Sequence, residues 1–271
     1  MQQVVEYHIT NGINCIFEIP TEAARQYLPA CIEPVEANHG VSLIGITMFD
    51  FSESPVGPYQ ELVVSLYAVP RLGVMEQHPH AAVCPIVVAS SSREARDHAI
   101  DLWHLPHFME DIGIEFTPSA DGRSITGKVY CHKGEPVVQL TVSRMGAWAP
   151  MYQLYQSFQG DESGSYMGIM DMRGQLSEHE EGTGNVRLHD HRFFRHVDLS
   201  VMEPRPYREM WLKAGVESYH RLVHISAPVK GFYTFENSAH SPMFEEPEKM
   251  QHILKTDVLG GTNKLGNGVG R

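Results

Sequence analysis

Short segments of strand character dominate the hydrophobic pattern between residues 15 and 143. The clearest lies at 137–143, where Val138, Leu140 and Val142 alternate with polar residues, as side chains do on a half-buried strand. Apolar runs predict further strands at 15–19, 41–51, 61–69, 82–89, 127–132 and, later in the chain, 185–188. A turn at 133–136 joins two of these runs into a predicted hairpin. Many short strands with glycine- and proline-rich connections favour a barrel or a sandwich over a βαβ sheet.

A helix with a well-marked start interrupts this β-rich region. Ser91 and Glu94 match the capping box, in which Ser91 is the N-cap and Glu94 reaches back towards it. Pro106 lacks an amide hydrogen and disfavours a helical conformation at the residue before it. The helix is therefore predicted to end near Trp103, and His107 is expected in a loop just beyond that end.

Two more helices and one long connection are predicted in the rest of the chain. A short helix is expected at 21–28, where Pro29 stops it. Residues 159–184 are rich in Gly, Ser, Asp and Glu, a composition that is typical of long or mobile connections. A clean helix is predicted at 246–259, with its apolar residues on one face and two glycines at its end. The predicted fold class is α+β, with strands in the majority.

Composition limits the partners and the location of the protein. A hydrophobic content of 42% is ordinary for a folded chain, and a formal charge of -12 opposes binding to a nucleic-acid backbone. The longest apolar runs fall short of the ~20 residues of a membrane helix, and the N-terminus lacks a signal-peptide pattern. We therefore expect a cytoplasmic protein that binds neither nucleic acid nor membranes. The four cysteines are widely spaced without a C-x-x-C pair, so they are expected to be reduced core residues.

The 16 histidines raise the question of a metal site. His189 and His191 lie two residues apart at the end of a predicted strand, so both rings could point the same way and chelate a metal. Further candidate ligands are His78 and His80, and His104 together with His107. None of these has the spacing of a familiar catalytic metal site, and a polar strand edge is the alternative interpretation. We predict neither a metal nor another cofactor.

Several segments resemble acetoacetate decarboxylases in their order and spacing. Residues 13–29 resemble the family's opening strand and helix, which ends in a proline. Gly57-Pro58-Tyr59-Gln60-Glu61 resembles its motif of glycine, any residue, tyrosine, any residue and glutamate. Residues 87–108 resemble its strand and helix before a Pro-Lys-Lys element, and 186–191 with 198–201 resemble its late strand and loop. The resemblance extends over about residues 10–222 and implies a β-rich barrel with a few helices.

The resemblance also implies a reaction that depends on a lysine, and this chain has no lysine at the matching position. The family's lysine attacks a β-keto acid and forms an iminium that accepts electrons as carbon dioxide leaves. At the family's Pro-Lys-Lys position this chain has Pro106-His107-Phe108, and its first lysine is Lys128. Imidazole is not a primary amine and forms no stable protonated imine with a ketone. We therefore expect any chemistry of this protein to be free of imines.

His107 and Glu61 are the predicted catalytic residues. Glu61 matches the family's pocket glutamate and His107 stands at the lysine position; an imidazole with a pKa of about 6.5 beside a carboxylate is a competent acid-base pair. Enolisation, dehydration or cyclisation of a small keto acid or enol would suit this pair. The residues predicted to bind the substrate are Tyr59, Trp103, Pro106 and Phe108. The alternative is a non-catalytic ligand-binding protein, in which His107 only fills space and Glu61 is an ordinary strand residue.

The C-terminal part of the chain carries a different resemblance. Residues 231–262 resemble the end of an α/β-hydrolase, in which His240 would match the catalytic base. No G-x-S-x-G motif precedes it, so His240 is expected to be structural or vestigial, and hydrolase activity is the remaining alternative. The predicted organisation is a decarboxylase-like barrel domain over 1–222 and a hydrolase-like strand and helix extension over 223–271. The protein is expected to assemble as a homo-oligomer.

Overall fold

The computed structural model describes residues 4–29, 31–70, 81–161 and 164–224. Within these ranges the chain forms thirteen strands and two α-helices. The strands are β1 (Val5–Pro20), β2 (Ile32–Pro34), β3 (Glu36–Asn38), β4 (Val41–Glu53), β5 (Tyr59–Pro70), β6 (Ala81–Ser90), β7 (Ile112–Pro118), β8 (Ser124–Cys131), β9 (Pro136–Ser143), β10 (Ala149–Asp161), β11 (Gly164–His179), β12 (Asn185–Leu188) and β13 (Arg208–His224). The helices are α1 (Thr21–Arg25) and α2 (Arg93–Trp103), and short 3-10 turns lie at Arg192–Phe194 and Leu199–Val201.

Seven of the strands close into a barrel. Their order is β5-β6-β10-β11-β13-β1-β4, and β4 pairs again with β5 to complete the circle. The pairings are antiparallel except for β6 and β10, which run parallel over three residues. The short strands β2 and β3 extend the edges of β5 and β4. The chain therefore has the β-rich barrel with few helices that the sequence predicts.

The second sheet packs against the outside of this barrel. It contains β7, β8, β9 and β12 in the order β12-β9-β8-β7. The core between the two sheets is made of buried aliphatic side chains, each of which stabilises the fold by about 1.5–3 kcal/mol. The buried members from β4, β5 and β9 include Ile44, Ile46, Met48, Leu62, Val64, Leu66, Val138, Leu140 and Val142. Their neighbours on β4 and β5 point to the other face, into the barrel.

Gly127 allows β8 to lie close to the barrel wall. A Cβ atom at this position would lie 2.5 Å from the sulfur of Met48 and 2.9 Å from the Cδ1 atom of Ile13. Both distances are shorter than van der Waals contact, so a larger residue would require the side chains of Met48 and Ile13 to move. The close approach explains why a glycine interrupts an otherwise well-alternating strand.

The predicted strands are confirmed, and three local predictions differ from the structure: the connection at 159–184, the N-cap of α2 and the length of α1. The strands at 15–19, 41–51, 61–69, 82–89, 127–132, 137–143 and 185–188 are present, as is the hairpin at 133–136. Residues 159–184, predicted as a connection, instead contain the end of β10 and the whole of β11, which pair as antiparallel strands. Their polar side chains belong to a barrel wall, in which polar residues can face inwards, so composition alone misled the prediction.

The start of α2 is one residue later than predicted. The N-cap is Ser92, whose hydroxyl oxygen accepts a hydrogen bond from the amide of Ala95. Ser91 instead accepts a hydrogen bond from the amide of Gln60 on β5, at 2.9 Å. The capping box was assigned to Ser91 because either serine satisfies a local capping pattern, and only the tertiary contact with β5 separates them. The helix ends at Trp103, as predicted.

The C-terminal predictions lie outside the described residues. Neither the helix at 246–259 nor His240 falls within them, and the division between 1–222 and 223–271 stays a prediction. The predicted helix at 21–28 is shorter in the structure, where α1 ends at Arg25 and a turn continues the chain. In the described part of the chain, no helix has the length and apolar character to cross a membrane.

Candidate functional site

The barrel encloses a cavity of about 120 Å³. All seven barrel strands contribute to its wall, because alternate residues of each strand point inwards. Aliphatic and methionine side chains form much of the wall, and the polar side chains among them are Asn14, Thr47, Glu61, Ser65, Tyr67, Gln153, Tyr155, Ser157, Glu217 and Tyr219. Apolar cavities of comparable size hold molecules such as benzene, so this volume suits a ligand of a few heavy atoms.

Glu61 is a buried carboxyl in this wall. It lies on β5 between Phe49 of β4 and Ser90 of β6, its cross-strand partners. Its exposed fraction is 8%. Burial raises the pKa of Glu61 to about 8, the charge of Glu217 adds to this rise, and a hydrogen bond with Ser90 opposes it. At neutral pH the group is therefore mostly a carboxylic acid, which can donate a hydrogen bond to a ligand.

Glu217 is a second buried carboxyl in the same wall. It lies on β13, paired with Tyr7 of β1 and Met172 of β11. Burial raises the pKa of Glu217 to about 8, and the nearby carboxyl of Asp171 contributes to this rise. Sequence reasoning missed this residue because β13 was not recognised as a strand. The spacing of Glu217 and Tyr219, two apart in an apolar stretch, is a signal that could have found it, since it places both on one face.

A hydrogen-bonded aromatic group lies next to the two carboxyls. The indole of Trp103 donates to the hydroxyl of Tyr7 at 2.8 Å. The Tyr7 hydroxyl also shares a hydrogen bond with Nε2 of His98, at 2.8 Å. Burial raises the pKa of Tyr7 and lowers that of His98, so both stay neutral at pH 7. The ring of Trp103 packs on that of Tyr219 with centroids 4.5 Å apart, which fixes α2 against the barrel.

His107 lies behind the cavity wall rather than in it. The loop that carries it adds to β6, because the amide of Val88 donates to the carbonyl of Pro106 at 2.9 Å and the amide of Phe108 to the carbonyl of Val88 at 2.7 Å. Nε2 of His107 lies 2.9 Å from the hydroxyl of Ser90. Burial lowers the pKa of His107, with a smaller contribution from the charge of Arg96.

Glu61 is the one predicted site residue that the structure places in the cavity wall within the described ranges. His107 and Glu61 are brought together only through Ser90. Tyr59 is buried and packs on Phe51, with ring centroids 4.7 Å apart. Trp103 contacts Tyr7 and Tyr219, Pro106 contacts β6 through its backbone, and Phe108 packs against Phe193. None of these four lines the cavity.

The lysines and arginines of the described ranges do not line the cavity. The three lysines there are Lys128 and Lys133 in the second sheet and its hairpin, and Lys213 on β13. The ammonium of Lys213 lies 4.5 Å from the ring centre of Trp211 and 4.9 Å from that of Trp148. This ammonium is therefore held by cation-π contacts and not by the cavity carboxyls.

His191 points inwards, towards Cys131 and Glu135. Its Nε2 atom lies 3.7 Å from a carboxylate oxygen of Glu135, and the three side chains together could surround an ion. Its Nδ1 atom accepts a hydrogen bond from the amide of Phe193 at 3.1 Å. A neutral ring with an unprotonated Nδ1 carries its proton on Nε2, so Nε2 offers a donor and not a lone pair for a metal.

The other candidate metal ligands lie elsewhere. His189 takes no part in the group around His191; its amide donates to the carbonyl of Val137. His104 ends α2 in the left-handed region, with a φ of 53°, and its Nδ1 atom lies 2.6 Å from a carboxylate oxygen of Asp161. His78 and His80 lie outside the described residues.

Comparisons with known proteins locate similar folds but no close relative. No family model matches the chain, and no curated protein matches it. The enduracididine biosynthesis enzyme MppR, in a complex with pyruvate, has a TM-score of 0.58 at 12% identity over 83% of this chain and 91% of that one. An acetoacetate decarboxylase has a TM-score of 0.55 at 14% identity over 85% and 92%. An acetoacetate decarboxylase-like enzyme from Sphingomonas wittichii RW1 has a TM-score of 0.51 at 11% identity over 84% and 95%.

These neighbours share one fold, and the described barrel has it too. The coverage exceeds four-fifths of both chains in each comparison, so the similarity extends well beyond a single motif. The β-rich barrel that the sequence resemblance predicts is therefore confirmed. At these identities the similarity concerns the path of the backbone, and the chemistry has to be argued from the side chains of this chain.

Proposed function

We propose that the barrel cavity binds a small carbonyl compound, a keto acid or its enol, and promotes proton transfer to and from it without forming an imine. The observation that carries the proposal is the presence of two buried carboxyls, Glu61 and Glu217, in the wall of one cavity. The pKa of each is raised to about 8, so both can change protonation state close to neutral pH.

Enolisation needs an acid and a base on the same ligand. A protonated carboxyl donates a hydrogen bond to the carbonyl oxygen, and an ionised carboxyl accepts the proton from the adjacent carbon. When the Glu61 and Glu217 pair holds a single proton, it offers one group of each kind. The C–H bond that breaks and the O–H bond that forms then involve only the ligand and these two side chains, and the negative charge develops on the hydrogen-bonded oxygen.

Imine formation would require a deprotonated primary amine at the reacting carbon. The lysines of the described ranges stand away from the cavity, and the side chain at the family's lysine position is the imidazole of His107. This arrangement supports chemistry that runs through an enol. Dehydration or cyclisation of a keto acid uses the same acid and base, because both start from proton removal next to a carbonyl.

The fold neighbours support the proposed class of ligand. One of them, MppR, is described in a complex with pyruvate. Pyruvate has six heavy atoms, a size that matches a cavity of about 120 Å³. The competing proposal, a binding protein without catalysis, rests on the same cavity and differs only in whether the carboxyls exchange protons with the ligand. A hydrolase based on His240 stays a prediction from the sequence.

Deuterium incorporation tests the proposal directly. The protein is incubated in D2O with pyruvate, acetoacetate or acetylacetone, and loss of the proton signals next to the carbonyl is followed by NMR. We expect Glu61→Gln to lower the exchange rate by about 100-fold or more, in line with the contribution of one general base. Glu53→Gln, a change at an exposed glutamate on the same barrel, serves as the matched control and should have no effect.

Two further outcomes separate the alternatives. Ligand-induced thermal stabilisation without any deuterium exchange would favour the non-catalytic binding protein. Reduction with borohydride in the presence of each ligand should leave the mass of the protein unchanged. A stable adduct on a lysine would contradict the imine-free proposal, and the modified lysine would be identified by peptide mass spectrometry.

A further inference from the structure

We propose that Ser90 connects Glu61 to His107, and that these three side chains form a relay that moves one proton between the cavity and the loop after α2. The inference rests on the proposed function, because the proton that the relay moves is the one that Glu61 exchanges with the ligand. Ser90 and His107 are positioning residues in this account, since neither touches the ligand.

One buried hydroxyl contacts both ends of the relay. Ser90 is the last residue of β6 and lies directly opposite Glu61 of β5. It is completely buried. Its hydroxyl faces the carboxyl of Glu61 from the paired strand and lowers the pKa of that carboxyl, and its oxygen lies 2.9 Å from Nε2 of His107. The cavity carboxyl and the histidine are therefore separated by a single side chain that can both donate and accept.

The protein backbone fixes which nitrogen of His107 faces Ser90. The Nδ1 atom lies 3.1 Å from the carbonyl oxygen of Phe108. A carbonyl oxygen only accepts hydrogen bonds, so Nδ1 carries a proton. In the neutral ring Nε2 then has a lone pair, and it accepts from the hydroxyl of Ser90.

Two complete hydrogen-bond arrangements follow from these contacts. In the first, the acid form of Glu61 donates to Ser90, and Ser90 donates to Nε2 of the neutral His107. In the second, the protonated Nε2 donates to Ser90, and Ser90 donates to the carboxylate of Glu61. The change breaks the O–H bonds of Glu61 and Ser90 and forms an O–H bond on Ser90 and an N–H bond on His107. One proton is transferred in total, and every group keeps a partner in both arrangements.

Burial makes the first arrangement the resting one. It raises the pKa of Glu61 to about 8 and lowers that of His107, so the proton stays on the carboxyl at neutral pH. The second arrangement supplies the carboxylate that Glu61 needs as a base, with the proton held on His107 and no water required in the cavity. The titratable groups around Glu61 are Glu217, Tyr7, Tyr59 and Tyr219, and the charged groups around His107 are Arg96, Asp97 and Asp111.

The protonated nitrogen of His107 can be observed without any ligand. Long-range proton-nitrogen NMR on the full chain labelled with 15N-histidine distinguishes the two neutral tautomers. We expect His107 to carry its proton on Nδ1 at pH 7.5, with the other nitrogen unprotonated. A proton on Nε2 of the neutral ring would overturn the relay, because Ser90 could then not donate to it. This measurement does not depend on the proposed function.

Serine variants test whether the link affects Glu61. Ser90→Ala should raise the pKa of Glu61 and lower the deuterium-exchange rate at pH 7 by about tenfold or more. Ser90→Thr keeps the hydroxyl and should restore the native pH profile. Ser42→Ala is the matched control, because Ser42 is also completely buried and its hydroxyl pairs with Thr21, away from the cavity.

The outcomes separate this inference from the proposed function. If no ligand exchanges its protons, the proposed function fails, while the tautomer of His107 and the titration of Glu61 in Ser90→Ala still decide whether the relay exists. If exchange occurs and Ser90→Ala has the native pH profile and the native pKa of Glu61, the relay is refuted and the proposed function stands. Should Ser90→Ala not fold, the tautomer of His107 in the native chain gives the answer.

Discussion

Glu61 on β5 and Glu217 on β13 face the same cavity, and the charge of Glu217 opposes the ionisation of Glu61. The two strands are not neighbours in the barrel, so closure of the barrel brings these carboxyls together. Each is buried, and each has a pKa raised to about 8. Two carboxyls that both favour the neutral form make the cavity a site where small changes of pH alter the charge.

Removal of one carboxyl should make the other more acidic. Glu217→Gln keeps the shape of the side chain and removes its charge, so we expect the pKa of Glu61 to fall while staying above that of an exposed glutamate. NMR titration of protein labelled with 13C in its glutamate carboxyls measures this, with Glu61→Gln to assign the signal. An unchanged pKa of Glu61 would mean that the two carboxyls do not interact.

Stability should depend on pH through the same pair. The folded-state pKa of each carboxyl, about 8, lies above the ordinary value of 4.5, so the folded chain retains protons that the unfolded chain loses between these values. The stability gained from these groups is present below pH 4.5 and is lost as the pH rises through 8. A shift of one pKa unit corresponds to about 1.4 kcal/mol, so the loss amounts to several kcal/mol.

Urea denaturation at pH 6 and pH 9 measures this loss. The double variant Glu61→Gln/Glu217→Gln should lose much less stability between the two pH values than the native chain does. Glu53→Gln should behave like the native chain, since its side chain is exposed. Equal losses in the native chain and the double variant would show that these carboxyls are ionised in the folded protein already at pH 6.

The hydrogen bonds of Tyr7 should be worth a measurable part of the stability. Tyr7→Phe leaves the indole N–H of Trp103 and Nε2 of His98 without their partner. An unpaired buried polar group costs about 1–3 kcal/mol. We therefore expect the free energy of unfolding, measured in urea, to fall by about 1 kcal/mol or more. Tyr152→Phe is the control, because 60% of Tyr152 is exposed. A loss below 0.5 kcal/mol in Tyr7→Phe, a size typical of surface changes, would contradict the arrangement.

The sequence predicts the strands whose apolar and polar residues follow a regular pattern. Strands β4, β5, β6, β8 and β9 contain long apolar runs or regular alternation, because they border the core between the sheets. Strands β10, β11 and β13 border the cavity, where inward-facing side chains include Gln153, Ser157 and Glu217. Polar residues at inward positions remove the contrast between the two faces, and such strands resemble loops in composition.

Of the residues in the candidate site, the sequence identifies only those that belong to a recognisable motif. Glu61 was found through the glycine, tyrosine and glutamate pattern at 57–61, and the structure places it in the cavity wall. Ser90 carries no signal in the sequence, because its role depends on facing Glu61 across two strands. His107 was predicted because it stands at the position of the family's lysine. This position correctly gave the loop after α2, but it could not show how far the imidazole ring lies from the cavity.

The charge of the ligand should decide how its affinity varies with pH. Pyruvate and its methyl ester differ by one negative charge and present the same ketone to Glu61 and Glu217. As the pH rises from 6.5 to 8.5 these carboxyls ionise, and like charges in a cavity of low polarity repel each other by an energy on the order of 1 kcal/mol or more. We expect the affinity for pyruvate to fall by about tenfold over this range and that for the ester to change much less. Ligand-detected NMR titrations give both affinities, and Glu61→Gln/Glu217→Gln should remove the difference between the two pH profiles. Equal affinity for pyruvate at both pH values would contradict the prediction, because it would show that ionisation of Glu61 and Glu217 does not oppose the charge of the ligand.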